Sequence, residues 1–149
     1  MDSQFMDHVI SELKERVRTG RSPREWLCRF LRDNVEKYNW VGIYLVREDK
    51  LVLDCFSGEK TEHQQITIGE GLCSLAIVKD STVNEPEVKK NSTYLACFPS
   101  TESEIVVPIR KNGKPVGEID IDSDTRAAFS REDEEFLAKI AEIISSSID

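Results

Sequence analysis

SEIVVPIRKNGKPVGEIDIDS, Ser103–Ser123, is the stretch on which the fold turns. Two alternating runs flank Asn112-Gly113, a dipeptide that favours the left-handed backbone of a hairpin turn. A two-residue loop sets Ile105 against Asp120 and Val107 against Glu118, mixing apolar and acidic groups on both faces. A three-residue loop with Gly113 left-handed shifts the register by one and separates them. Ile105, Val107, Ile109, Ile119 and Ile121 then share one face, and Glu104, Asp120 and Asp122 the other, because strand side chains repeat with period two. The acidic face has two readings. It is a solvated sheet surface, or it is a cluster whose members repel and raise one another's pKa. Its one basic residue, Arg110, stands at the far end.

Outward from this hairpin the chain reads as helices around strands. Residues 2–19 carry a helical stripe of Phe5, Val9, Leu13 and Val17, with Gly20 placed to stop it. Ser22-Pro23-Arg24-Glu25 has the form of a capping box with Pro at the first helical position. Trp26, Leu27, Phe30, Leu31 and Val35 supply the buried face that follows. Trp40–Val46 and Leu51–Phe56 read as a hairpin around Glu48-Asp49-Lys50, and Gln65–Ile68 as a short strand. Gly69-Glu70-Gly71 leads into a brief apolar helix, Leu72–Val78. Residues 80–102, with Pro86, Asn91, Ser92 and Pro99, read as a long, mostly irregular loop, which in a small domain is more often a site lid than filler. Ser130, with Asp133 three residues on, caps an amphipathic helix whose stripe is Phe136, Leu137, Ile140, Ile144 and Ile148. Helices at both ends of an antiparallel sheet make an α+β fold.

Composition narrows the partners. At 149 residues the chain has the length of one domain, 1–149, and its net charge of −8 disfavours nucleic acid and anionic membranes, both of which select basic surfaces. No apolar run reaches the ~18 residues of a membrane span, and Met1-Asp2-Ser3-Gln4 lacks a signal pattern, so the expected location is cytoplasmic. Cysteines at 28, 55, 73 and 97 form no CxxC pair, which argues against a structural zinc and for free thiols.

Six segments in order carry a resemblance: Asn39-Trp40-Val41-Gly42-Ile43-Tyr44, Gly69-Glu70-Gly71-Leu72-Cys73, Ala96-Cys97, Ser103–Ile109, Gly117–Ser123 and Phe129-Ser130-Arg131-Glu132-Asp133. Over residues 22–144 the chain resembles a GAF domain, and more narrowly the free methionine-R-sulfoxide reductases. The resemblance implies a six-stranded antiparallel sheet flanked by helices, a pocket between the sheet and residues 58–102, and a homodimer, with the N-terminal helix, 1–20, as a dimerising element. It implies reduction of free L-methionine-(R)-sulfoxide with no bound cofactor or metal, and thioredoxin or a similar dithiol, fed by NADPH, as reductant. It places the nucleophile on Cys97, the resolving thiol on Cys73, acidic pocket residues on Glu104, Asp120 and Asp122, and an aromatic embrace of the substrate's methyl end on Trp40 and Tyr44. Trp40 and Tyr44 share one strand face with Gly42 between them, which on the sequence alone leaves room for a ligand.

The family usually carries a third cysteine where this chain reads Glu62-His63-Gln64-Gln65, so recycling rests on a Cys73–Cys97 disulfide. His63 stands near that position or is simply exposed, and Cys28 and Cys55 read as structural. A thiolate must attack sulfur, an acid must protonate the departing oxygen, and a second thiol must clear the sulfenic acid. Cys73, at a helix start, is expected to gain thiolate character there, and one of the three crowded acids is expected to stay protonated. The alternative is a GAF module that senses a small molecule or redox state without turnover.

Overall fold

In the computed structural model, which describes residues 1–91 and 98–149, the chain runs α1 (Ser3–Thr19), α2 (Pro23–Asn34), β1 (Trp40–Arg47), β2 (Lys50–Ser57), β3 (Gln65–Thr67), α3 (Gly71–Lys79), β4 (Val83–Glu85), β5 (Ser103–Lys111), β6 (Lys114–Ser123) and α4 (Arg131–Ile144). The strands form one antiparallel sheet in the order β3-β2-β1-β6-β5-β4. Helices α1, α2 and α4 cover one face, and α3 packs on β5 and β6 from the other.

The β5–β6 hairpin has the expected separation of faces, reached by a different route. Asn112 and Gly113, with φ of 53° and 78°, make a two-residue turn and not a three-residue loop. Lys111 pairs with Lys114 and Arg110 with Pro115, then Ile109 pairs with Gly117, so Val116 is the extra residue of a bulge. Pro115 has no N–H to give the ladder, which favours a break in pairing beside it. Gly117 is required next, because a Cβ there would sit 2.6 Å from the Tyr44 carbonyl oxygen. Beyond the bulge, Ile105 faces Ile121 and Val107 faces Ile119, while Glu104 faces Asp122.

Two further expectations change. Ser22 adopts φ 42° and its side chain caps nothing, so the capping box at α2 does not form. That helix is held instead by Pro23 at its first position and by burial of Leu27, Cys28 and Leu31. Residues 80–102 are not wholly irregular, since Val83–Glu85 add β4 against Val106–Glu104. Three residues are too few to show an alternation. The box at α4 does form, with Asp133 N–H donating to Ser130 Oγ at 3.3 Å and Ser130 N–H donating to Asp133 Oδ2 at 2.8 Å. Its stripe closes the core on Ile105, Val107, Ile119 and Ile121, each such apolar side chain contributing roughly 1.5–3 kcal/mol by burial. Among the described residues no helix is long and apolar enough to cross a membrane.

Candidate active site

The other face of the same strands is acidic and nearly dry. Pairing of β1 with β6 sets Trp40 opposite Asp122, Gly42 opposite Asp120, and Tyr44 opposite Glu118. Glu104 adjoins Asp122 from β5, and α3 lowers Cys73 onto the group. Glu104, Glu118, Asp120 and Asp122 are 5%, 0%, 2% and 3% exposed. The sequence-derived trio is therefore together and buried, and the solvated reading of that face does not hold. Glu118 is a fourth member that the sequence reading missed. The alternation Glu118, Asp120, Asp122 was the signal that could have found it.

Burial dominates the electrostatics. It pushes the Glu104, Glu118 and Asp122 carboxyls well above their ordinary range, with neighbouring acid charge adding to the shift. Asp120 is also raised by burial, but Glu104 and Cys73 donate to it and pull the other way. Asp120 is thus the member whose ionised form its neighbours most favour, within a cluster that titrates as a unit. Among the described residues, four carboxylate oxygens have no hydrogen-bond partner: both of Glu118, Oδ1 of Asp120 and Oδ1 of Asp122. Buried polar atoms are nearly always paired, so this face is shaped for a polar or cationic guest.

Cys73 does not behave as its helix position suggests. Its Sγ lies 3.2 Å from Asp120 Oδ2 and 3.8 Å from Glu104 Oε2. Burial, followed by the Asp120 and Glu104 charges, raises its pKa well above an ordinary thiol, outweighing the helix N-terminus. One potential ligand atom from each of Cys73, Glu104 and Asp120 lies within 4.8 Å of the other two, a spacing a metal ion could bridge. The space beside Gly42 is occupied by the Trp40 ring itself, since a Cβ on Gly42 would meet that ring at 2.3 Å. Gly42 is needed to let Trp40 lie flat on the sheet, and it does not leave room for a ligand.

The aromatic wall is fixed by hydrogen bonds at its polar tips. Trp40 Nε1 donates to the Glu59 carbonyl at 2.9 Å, and Tyr44 Oη donates to the His63 carbonyl at 2.7 Å. His63 thus anchors the wall through its backbone. Phe98 completes the wall, its ring 6.2 Å from that of Trp40. A cavity of about 170 Å³ opens here, bordered by Trp40, Phe98, Thr101 and Asp122, with Arg32 and Asp124 at its rim. Cys97, the expected nucleophile, lies outside the described residues, one position before Phe98. Cys28 and Cys55 are on the helix-covered side of the sheet, where their sulfurs approach to 3.7 Å.

A six-stranded antiparallel sheet with helices on one face and a small polar pocket on the other defines the class. The GAF domain family model matches residues 27–148, and the chain belongs to that family. It is 42% identical over 113 residues to the free methionine-R-sulfoxide reductase of Saccharomyces cerevisiae, an alignment covering 73% of this chain and 62% of the yeast protein. The type II free methionine-R-sulfoxide reductase of Thermoplasma acidophilum superposes with a TM-score of 0.82 at 54% identity, covering 89% of this chain and 92% of that one. The Neisseria meningitidis free methionine-R-sulfoxide reductase, solved with its substrate, gives 0.85 at 29% identity over 94% of this chain and 86% of that one. Within the GAF domains, the chain falls in the free methionine-R-sulfoxide reductase family.

Proposed function

We propose that this protein reduces free L-methionine-(R)-sulfoxide to methionine with Cys97 as nucleophile, Cys73 as resolving thiol and a thioredoxin-like dithiol as the external reductant. The observation that carries the reading is the buried cluster of Glu104, Glu118, Asp120 and Asp122, with four unpartnered oxygens among the described residues and with Asp122 bordering a small cavity walled by Trp40 and Phe98. A free amino acid offers what that face lacks. Its ammonium group donates hydrogen bonds to Asp120 and Asp122, and ionised Asp120 balances its charge. A peptide-bound residue has no ammonium to offer, so the cluster discriminates by leaving buried carboxylates unpaired. Trp40 and Phe98 give the methylthio end an apolar surface.

The chemistry follows from the proton inventory. Cys97 sulfur attacks the sulfoxide sulfur, and the neutral carboxyls protonate the sulfoxide oxygen as its bond to sulfur breaks. The oxygen, released as water, attacks the Cys97 sulfur; the bond between Cys97 and the methionine sulfur breaks, methionine leaves, and Cys97 is left as a sulfenic acid. Cys73 attacks that sulfur with Asp120, 3.2 Å from its Sγ, taking the proton. Water departs and a Cys73–Cys97 disulfide forms, which a dithiol reduces by exchange.

The test is NADPH consumption with thioredoxin and its reductase, comparing the free R epimer, the free S epimer and peptide-bound sulfoxide. Turnover of the free R epimer alone is expected. Cys97→Ser is expected to lose all reduction, and Cys73→Ser to keep a single turnover but lose cycling. Normal cycling by Cys73→Ser would remove the resolving role from Cys73. Binding of a small molecule without reduction would make the protein a sensor.

A further inference from the structure

We propose that Cys28 and Cys55 form a second redox site, a dithiol that a hydroperoxide oxidises to a disulfide on the side of the sheet away from the acidic pocket. Two structural features bring the pair together. Helix α2 points Cys28 at the sheet, where it is 1% exposed. A bulge in β2 skips Asp54, so that Cys55 pairs with Ile43 on the helix side while Leu53 pairs with Tyr44 on the pocket side. The sulfurs stand 3.7 Å apart, against about 2.05 Å in a disulfide, a gap that side-chain rotation and a small helix shift can close.

The two thiols are not equivalent. The hydrogen bond with Cys55, followed by burial, raises the Cys28 pKa well above an ordinary thiol. Cys55 is only half-buried and lines an open cleft of about 350 Å³ with Glu25, Arg29, Asp54 and Gln64. Arg24, bonded to Asp54 at 2.8 Å, puts a guanidinium near enough to interact with Cys55. A small oxidant therefore reaches Cys55 first, the more exposed of the two sulfurs.

The step balances without a bound cofactor. Cys55 thiolate attacks one peroxide oxygen, the O–O bond breaks, and the leaving hydroxide is protonated to water. Cys28 sulfur then attacks the Cys55 sulfenic sulfur, the S–O bond breaks, and the departing hydroxide takes the Cys28 proton as a second water. The dithiol loses two electrons and the peroxide gains them. The product ties α2 to β2 covalently, and an external dithiol restores it.

Reduced full-length protein treated with hydrogen peroxide, quenched and digested without reductant is expected to yield the Cys28–Cys55 peptide pair, reversed by dithiothreitol. In Cys28→Ser, or Cys28→Ala if the serine variant folds poorly, Cys55 should instead accumulate a sulfenic acid trappable by dimedone. Each Cys28 variant should retain the wild-type rate with free methionine-R-sulfoxide, which separates this site from the pocket chemistry. Peroxide treatment that leaves Cys28 and Cys55 both alkylatable under denaturing conditions would overturn the proposal. So would oxidation of Cys55 that is the same with and without Cys28.

Discussion

Strand β6 presents two faces that are equally buried and unequally satisfied. Ile119 and Ile121 are 1% and 0% exposed, and Glu118, Asp120 and Asp122 are 0%, 2% and 3%. On the apolar face every group finds what it needs, because dispersion and water exclusion require only close neighbours. On the acidic face four oxygens find no partner. An unsatisfied buried polar atom costs about 1–3 kcal/mol. The stability of the domain is thus made on one side of the sheet and spent on the other. A strand alternating Ile with Asp can do both because its side chains leave in opposite directions.

The comparison breaks most visibly if the two faces are perturbed in turn. Asp120→Asn keeps size and hydrogen-bonding capacity but removes the charge that faces Cys73 and, in the proposed reaction, the substrate ammonium. Turnover of free methionine-R-sulfoxide is expected to fall about 10²–10⁴-fold, the usual weight of an acid–base group, with no loss in the urea midpoint. The protein should not unfold more easily, since one buried charge has been taken away. Activity within a few-fold of wild type would show that Asp120 is scaffolding.

Ile121→Ala should do the reverse. It opens a cavity between the sheet and the α4 stripe and is expected to destabilise the domain by about 2–5 kcal/mol in urea unfolding. The kcat of the remaining folded protein should stay near wild type, because Ile121 points away from Asp120 and Asp122. An equal loss of kcat at a temperature where the variant is fully folded would mean that the two faces are mechanically coupled.

How much of this was legible depends on the range of the physics involved. Segregation of Ile from Asp across Ser103–Ser123 could be read because period-two alternation is local, and it survives an error in the turn. The error itself is instructive. Asn112-Gly113 has a two-residue geometry, and the residue that repairs the register is Val116, whose one sign in the sequence is the neighbouring Pro115. Cys73 was misjudged because a helix start is visible in sequence, while the burial and the crowd of carboxyls from β5 and β6 that outweigh it are tertiary facts. The same holds for Gly42. Its space is filled by the ring of Trp40 two residues away, and ring direction is not written in the alternation. Cys28 and Cys55 lie 27 residues apart, and only the β2 bulge brings them onto the same side.

The smallest expected effect sharpens the comparison by titration. Glu104, Glu118 and Asp122 have folded pKa values raised by burial above their unfolded values near 4. A carboxyl raised in this way is protonated in the folded state while the unfolded chain has already lost the proton. Between the unfolded and folded values the folded state therefore binds more protons, and stability falls as pH rises. The contribution is fully present below the unfolded value and is lost as pH climbs through the folded one. Asp133 runs opposite: burial raises it, but bonds from Lys37, Tyr38 and Ser130 prevail and hold it below its ordinary value. Its stabilisation is lost only as pH falls below that of an ordinary aspartate, outside the window of the pocket acids. Urea midpoints should accordingly decline as pH rises above the ordinary carboxylate range. Glu118→Gln cannot ionise, and its amide fits the same space against Tyr44, so the decline should become shallower while the midpoint at the acid end changes little. A slope identical to wild type would mean that Glu118 ionises as freely as a surface glutamate, and the acidic face would then be open to water.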